Sequence, residues 1–351
     1  MVLSLTTAVV TKLYYQGSAY LPLADLVVKR QKAKMLALGG IQMAISKLAG
    51  PQVAVRDDDK KDQPKTVAFL ERILPCLNRW EMVKLTEEND GIDGSIKICV
   101  SCENGKINLN SLYDFQKHEF QDAANTAQQK EPATQKKMNV LKMTLREVLD
   151  QLGQLTKGEI DSAKAFSALC RFLEERKYPI IDVTELLQIK EFSYFSNYVF
   201  YAPPVDDDQN LGDQARPVYL TDIFTSWTDT VQLQPWLLSD SILAILGFPR
   251  AQPDDIMRRE RAVSSWIKEF KDGAQWVTEW DKTLGKMYDT SVGAIPKEAL
   301  ALFDIRFNPS VFGVLSYGTV AGVTQKIYAI VKMQSKDKDK SFFTIEKLYW
   351  I

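Results

Sequence analysis

The pattern of apolar and polar positions predicts one long helix at the start of the chain. Residues 1–10 are mostly apolar and carry no charge. From Ala24 to Leu48 there is no proline, and most residues are strong helix formers. Gly50-Pro51 ends the pattern, with glycine past the last turn and proline behind it. One face of this helix carries small residues that let a sheet or another helix approach closely, at Ala33, Ala37, Gly40 and Ala44.

The apolar start of this helix is about half of the roughly 20 residues that span a bilayer. It has no basic residue before it and no small-residue cleavage site after it, so it is not typical of a signal peptide. We expect the second half of a membrane helix; the alternative is a buried core helix. Pro22 is expected to kink or interrupt the helix near the membrane exit. The helix-packing and assembly positions predicted here are Val2, Leu5, Val9 and Leu13, together with the four small residues.

The period then changes to that of strands. Residues 80–87 and 95–101 are predicted strands, and the Gly/Asn/Asp-rich segment 89–94 between them is typical of a hairpin. Three more strands are predicted at 311–315, 326–333 and 342–350, where β-branched and aromatic residues dominate. Residues 52–66 are charged and are expected to form a solvated loop.

Helical spacing dominates between these two sets of strands. Apolar residues at 141–155 and 165–173 follow it, and residues 254–290 are rich in charge and tryptophan. Asp182 and Glu185 form a predicted capping arrangement, and two short helices are expected near 221–224 and 239–247. The order indicates an α+β domain interrupted by a helical insertion. We therefore divide the chain into a helix over 1–50, an α+β domain over 51–110 and 300–351, and an inserted helical domain over 111–299.

Composition argues against an enzyme. The chain has 351 residues, a formal net charge of -1 and one histidine, His118. A single imidazole disfavours Ser-His-Asp, Cys-His and His-rich zinc sites. Gly105-Lys106 and Gly285-Lys286 are not followed by Ser or Thr, so neither is a phosphate-binding loop. The near-neutral charge also disfavours nucleic acid as the main partner. We expect no catalytic residue, no cofactor and no small-molecule substrate.

Two cysteines and one acidic loop leave alternatives open. Cys99 and Cys102 form a C-x-x-C pair without a second such pair, and Asn104-Gly105 behind them predicts a turn. Buried thiols, a disulfide, or a redox or metal role all fit this pattern. Oxygen ligands suit Ca²⁺, so the calcium candidates are Asp206, Asp208 and Asp213; the alternative is a solvated acidic loop.

Four stretches in order resemble a known family. These are Arg30–Ala44, a small-residue helix segment; Cys102–Asn110, similar to a D-E-x-G-K-I-N-L-N signature; Pro179–Leu187, followed by Tyr219–Thr225 and Ser239–Gly247; and Phe343–Trp350. Together they resemble the minor pseudopilins of the type II secretion system in the general secretion pathway protein K family. Two features depart from that family: Cys102 replaces the first Asp of the signature, and no Asp-rich stretch precedes Pro179. The family's calcium site is therefore not carried over.

The resemblance implies a pilin-like long helix packed on an antiparallel sheet, with a large helical domain inserted between strands. It implies a subunit at the tip of a pseudopilus that initiates assembly and acts in protein export. The implied partners are other minor pseudopilins, the major pseudopilin and the inner-membrane assembly platform. The implied location is the inner membrane, crossed once, with the globular domain in the periplasm. The alternative is a non-catalytic adaptor, similar to helix-hairpin-helix modules, that binds nucleic acid or protein.

Overall fold

The computed structural model describes residues 2–50, 69, 72–120, 140–202, 217–229, 233–234, 237–248, 309–337 and 340–351, with isolated positions at 285, 288, 291, 293, 295 and 303. For residues 2–21, 140, 335–337 and 340–341 it describes the backbone alone. The predictions for the loop at 52–66 and for nearly all of the helical segment 254–290 therefore lie outside the described residues.

The predicted N-terminal helix is present as α1, Val2–Ala49. It runs through Pro22 without interruption, so this proline does not divide the helix. Gly50 follows with a φ of 68°, a left-handed conformation that glycine adopts at low cost and that closes the last turn. Its amide donates to the carbonyls of Ser46 and Lys47. The helix end is thus set by local chemistry, as the sequence predicts.

A five-stranded antiparallel sheet lies against α1, in the order β1-β2-β7-β8-β9. Its strands are β1 Trp80–Leu85, β2 Gly94–Cys102, β7 Val311–Val320, β8 Val323–Asp337 and β9 Lys340–Trp350. All four pairings are antiparallel. The predicted fold class is therefore confirmed: a long helix packs on an antiparallel sheet, and the helical segments lie between β2 and β7 in the chain.

Several strand ends differ from the prediction; β8, for example, begins three residues before and ends four residues after the predicted 326–333. A short helix, α2 Glu87–Asp90, covers the end of the predicted strand 80–87 and the start of the predicted turn segment 89–94, so β1 ends earlier, at Leu85. This helix is held by local bonds, since the amide of Glu87 donates to the Asp93 carboxylate. β7 continues five residues past the predicted end, because Ser316 and Gly318 lie in the ladder although they interrupt the apolar pattern.

The segment between β2 and β7 begins with short elements. They are β3 Ile107–Asn108, α3 Leu109–Leu112, β4 Tyr113–Asp114 and β5 Glu119–Phe120. The helices α4 Val140–Leu155, α5 Ser162–Glu174, α6 Leu220–Ile223 and α7 Asp240–Ile245 follow, with β6 Phe224–Thr225 behind α6. Two 3-10 helices, Val183–Gln188 and Lys190–Ser196, lie between α5 and α6. β3 pairs with β6 in parallel, and β4 pairs with β5.

Three apolar clusters hold these elements together. The inserted segment has its own core, which includes Leu109, Leu149 and Phe192. A second cluster joins one side of α1 to the sheet and includes Ile41, Ile98 and Val314; we call that sheet face the back face. The third lies on the opposite face, where Tyr328 and Ile330 meet Phe200 and Trp227 from the insert. The sheet therefore has α1 on its back face and part of the insert on the other.

The neighbouring glycines of α1 have opposite environments. A Cβ at Gly40 would lie 2.1 Å from Ser316 Oγ and 2.8 Å from Ile96 Cγ2, whereas a Cβ at Gly39 would meet nothing within 4 Å. We expect Gly39→Ala to stabilise the fold by about 0.5–1 kcal/mol, because alanine is the better helix former. Gly40→Ala should destabilise it by about 1–3 kcal/mol through overpacking. Urea unfolding checks both, and equal effects would contradict the packing described here.

Candidate assembly surface and the junction behind it

The described start of α1 is an exposed apolar surface. Leu23, Leu26, Val27 and Val28 are each at least half exposed, and the neighbouring residues up to Lys32 are also largely exposed. Burial begins at Ala33, which is fully buried. The 31 residues from Val2 to Lys32 correspond to a helix roughly 46 Å long. Large apolar side chains on a helix that its own domain does not cover are typical of a protein or membrane contact.

The four small residues of α1 face the protein's own sheet. Ala33, Ala37 and Ala44 are fully buried, and a Cβ on Gly318 of β7 would lie 2.2 Å from the Ala33 carbonyl oxygen. The helix backbone therefore approaches the β7 backbone directly. These residues pack inside the subunit and are closed to other chains. The other predicted positions, Val2, Leu5, Val9 and Leu13, lie on α1, but their side chains are outside the described residues.

A buried ion pair stands where the chain leaves the sheet. Lys106 Nζ lies 2.5 Å from Glu103 Oε1, and both side chains are almost fully buried. The Tyr328 hydroxyl donates to the same carboxylate oxygen at 3.0 Å. The positive charge of Lys106 also acts on the buried carboxyl of Asp222. Burial raises the pKa of Asp222, and Lys106 opposes that rise. Buried charges cost energy unless they are paired. The ion pair and the Tyr328 hydrogen bond therefore hold the 102–110 signature segment against β8 in this geometry.

Asn104 and Gly105 bring the insert against the sheet. The Asn104 side-chain oxygen accepts from the amides of Ser310 and Val311, which precede and begin β7. The Asn104 carbonyl oxygen accepts from the amide of Gln234. At Gly105, a Cβ would lie 1.7 Å from the Leu237 carbonyl oxygen, so any side chain there would collide with backbone.

The two other asparagines of the signature hold loops of the insert. Asn108 caps α3 by accepting from the Asn110 amide, and its Nδ2 donates to the carbonyl of Thr228. The Asn110 side chain bonds both the amide and the carbonyl of Ile180, each at 2.7 Å. Buried or half-buried amides need such partners, since an unpaired polar group in an interior is costly. The signature segment is therefore a structural junction.

The predicted capping arrangement at Asp182 is confirmed as a capping box. The Asp182 carboxylate accepts from the Thr184 amide, and Glu185 accepts from the Asp182 amide. Arg176 holds Glu185 in place through an ion pair at 2.6 Å. The helix that follows is a 3-10 helix, so the capping signal located the helix start without specifying its type.

Cys99 and Cys102 are buried free thiols. They are three residues apart on one strand, so their side chains point to opposite faces: Cys99 lies in the cluster beside Tyr328, and Cys102 lies in the cluster beside α1. A disulfide between them does not fit this geometry. Burial raises the pKa of Cys102 to about 12, and it also raises the pKa of Cys99. A redox or metal role requires the thiolate, which this environment disfavours.

These thiols should be inert while the chain is folded. We expect a thiol reagent at pH 8 to react with the half-buried Cys76 and to leave Cys99 and Cys102 unmodified until denaturant is added. The physical reason is that the thiolate is the reactive form and is suppressed by burial. Mass spectrometry of the labelled peptides checks this. Rapid modification of Cys99 or Cys102 in the native chain would contradict their burial.

Two further predictions concern a metal ion and the membrane. Within the described ranges, no three His, Cys, Asp or Glu side chains come together in a way that could hold a metal ion. The calcium candidates Asp206, Asp208 and Asp213 lie outside those ranges. In the part of the chain that the structure describes, no helix carries an apolar stretch long enough to cross a bilayer.

Comparison with known proteins gives similarity to solved structures only. No family model matches this sequence, and no curated protein matches it. Among solved structures, the chain is similar to a chain of the GspK-GspI-GspJ complex from the type 2 secretion system of enterotoxigenic Escherichia coli. The alignment covers 95% of this chain and 99% of that chain, with 11% identity and a TM-score of 0.41. At this identity and TM-score, the similarity carries no weight of its own for the function.

Several important residues were not singled out by the sequence. Tyr328 and Gly318 belong to strands whose partners are distant in the chain, and no local pattern marks them. The side-chain amides of Asn104, Asn108 and Asn110 lie in the 102–110 signature segment, and the sequence assigns them no hydrogen-bond partner. A usable signal was present, because polar residues in an apolar segment must find hydrogen-bond partners when the segment is buried.

Proposed function

We propose that this chain is a minor pseudopilin at the tip of a type II secretion pseudopilus, where it initiates assembly and acts in protein export. The observation that carries the proposal is the change in environment along α1. Up to Lys32 its described residues are exposed and include large apolar side chains, and from Ala33 onward it is the packed spine of the domain. One helix thus provides both an attachment surface and the core of the subunit.

The proposed partners are other minor pseudopilins, the major pseudopilin and the assembly platform, contacted through the exposed part of α1. The proposed location is the inner membrane, with the globular part in the periplasm. The insert supports a tip position, because a subunit with neighbours above and below has less room for an added domain. The adaptor alternative gains no support from the junction, where Lys106 is buried in an ion pair and is not available to phosphates.

Deleting residues 1–30 tests the proposal. The shortened chain should stay folded and soluble with an unchanged melting temperature, because burial of the described residues of α1 begins at Ala33. It should fail to associate with the minor pseudopilins proposed as its partners and fail to restore export in cells lacking the gene. A full-length Met143→Ser variant, changed at an exposed residue of α4, is the control and should behave like the unmodified protein.

Two outcomes would overturn the proposal. Unfolding of the shortened chain would show that the start of α1 is a core element. Full export activity by a folded, shortened chain would show that the start of α1 is not the assembly surface.

A further inference from the structure

The back face of β9 is open to solvent beside α1. The helix lies over β7 and β8 and reaches β9 mainly at Trp350, where Lys34 Nζ lies 4.0 Å from the ring centre. Phe343 and Leu348 of β9 point to this face and pack against the α1 cluster. Strand alternation places Ile345 on the same face as Phe343, and Trp350 on the same face as Leu348. Ile345 and Trp350 are nevertheless 40% and 45% exposed. An apolar part of the sheet is therefore left uncovered.

This open face continues onto the exposed start of α1. Leu23 and Val27 precede Lys34 by eleven and seven positions, so the helical period places all three on the same side of α1. Leu23 and Val27 are 57% and 51% exposed. Leu23 to Lys34 spans roughly 16 Å along the helix, and Trp350 to Ile345 spans roughly 16 Å along the strand. We call Leu23, Val27, Ile345 and Trp350 the α1/β9 strip.

The charges on the α1 side of the α1/β9 strip are basic, and the carboxylate of β9, Glu346, accepts from Thr344 and Gln334 on the opposite face. Arg30 lies on the same side of α1 as Lys34, whereas the Asp25–Lys29 ion pair lies on the opposite side by helical spacing. Among the described residues, no carboxylate forms an ion pair with Arg30 or Lys34. An occupant with carboxylates beside its apolar residues would therefore be complementary. A second copy would instead bring another basic α1 against this one, which like charges disfavour.

The shape of the strip favours a helix as the occupant. Strand addition to β9 is hindered by a bulge, since Ile345 pairs with Val331 and Lys347 with Ile330, which leaves Glu346 outside the ladder. A helix lying beside α1 on the same sheet face would repeat the helix-on-sheet packing that α1 already makes. The strip, roughly 33 Å long in total, matches about 22 residues of helix.

We propose that the α1/β9 strip binds an amphipathic helix of a different chain, whose apolar stripe is bordered by carboxylates. This inference rests on the proposed function, because it specifies which flank of the subunit a neighbouring assembly partner uses and what chemistry that partner presents. The opposite flank is less suitable, because Lys47 and Glu81 form an ion pair between α1 and β1 there.

Two synthetic helices of about 22 residues test the inference on the full chain. Both carry the same leucine stripe and a fluorescent label; one is bordered by glutamates and the other by lysines. The glutamate-bordered helix should bind at least about tenfold more tightly in fluorescence anisotropy, and added salt should reduce the difference. Equal affinity for the two helices would overturn the inference.

Variants of β9 locate the binding. Ile345→Ser combined with Trp350→Ser should weaken binding of the glutamate-bordered helix by about tenfold or more. Phe342→Ser is the matched control, because Phe342 is 40% exposed on the same strand but points to the opposite face. Circular dichroism verifies that both variants fold. Unchanged binding by the double variant would overturn the inference.

Sedimentation velocity tests whether a second copy of the chain occupies the α1/β9 strip instead. The unmodified chain should show no self-association that depends on Ile345 and Trp350; a dimer abolished by the double variant would make a second copy the occupant and overturn the inference. A failure of this inference can be distinguished from a failure of the proposed function. Unfolding after deletion of residues 1–30 would remove the proposed function while leaving the β9 comparison interpretable.

Discussion

Replacing Lys106 with methionine should destabilise the folded chain by about 3–5 kcal/mol, one of the largest losses expected from a single substitution here. The substitution leaves the Glu103 carboxylate buried with the Tyr328 hydroxyl as its remaining described side-chain donor. A buried charge without its partner costs far more than a surface charge, because no water replaces the lost interaction. Urea unfolding followed by circular dichroism measures the loss.

A double variant separates the lost charge pairing from lost packing. Glu103→Gln in the Lys106→Met background removes the unpaired charge and keeps an acceptor for Tyr328. We expect it to recover part of the stability that Lys106→Met loses, because a neutral amide costs less to bury than a carboxylate. If the single and double variants lose the same free energy, the charge of Glu103 does not cause the destabilisation.

Replacing Gly318 with alanine should separate α1 from the sheet and destabilise the chain by about 3 kcal/mol or more. The new Cβ would lie 2.2 Å from the Ala33 carbonyl oxygen and 2.5 Å from the Ala37 amide nitrogen. Both are backbone atoms, so no side-chain rotation relieves the collision and the helix itself must move. Amide hydrogen exchange should accelerate in residues 33–48 of α1.

Gly39→Ala is the control for this substitution. It adds the same methyl group to the same helix–sheet unit, at a position with nothing within 4 Å. It should leave exchange in α1 unchanged or slower. Gly318→Ala with unchanged unfolding and unchanged exchange would show that α1 does not approach β7 as closely as described.

Local chemistry made several features predictable from the sequence. The length of α1 follows from its helix formers and from Gly50, and the capping box follows from the spacing of Asp182 and Glu185. The strand period located all five strands of the sheet. Helices and caps depend on contacts between residues three or four positions apart, so the information that specifies them lies within short segments.

The ends of the strands were less predictable. β7 continues through Ser316 and Gly318 because pairing with β2 and β8 stabilises it on both sides, whereas its own apolar pattern stops at Leu315. β1 stops early because α2 forms directly behind it. Pairing with two neighbouring strands extends β7, and the adjacent helix shortens β1. In both cases contacts outside the strand, rather than its own β-propensity, determine where it ends.

The sequence by itself determined the long helix, its small-residue face, the α+β order and the resemblance of the 102–110 segment to a family signature. The tertiary structure alone decided what these features contact. Glu103 meets Tyr328, 225 positions further along the chain, and the small-residue face of α1 meets Gly318 of its own sheet. The open strip between α1 and β9 also depends on where the helix crosses the sheet. The physical reason is that long-range contacts depend on the path of the whole chain, and no periodicity in a short segment encodes that path.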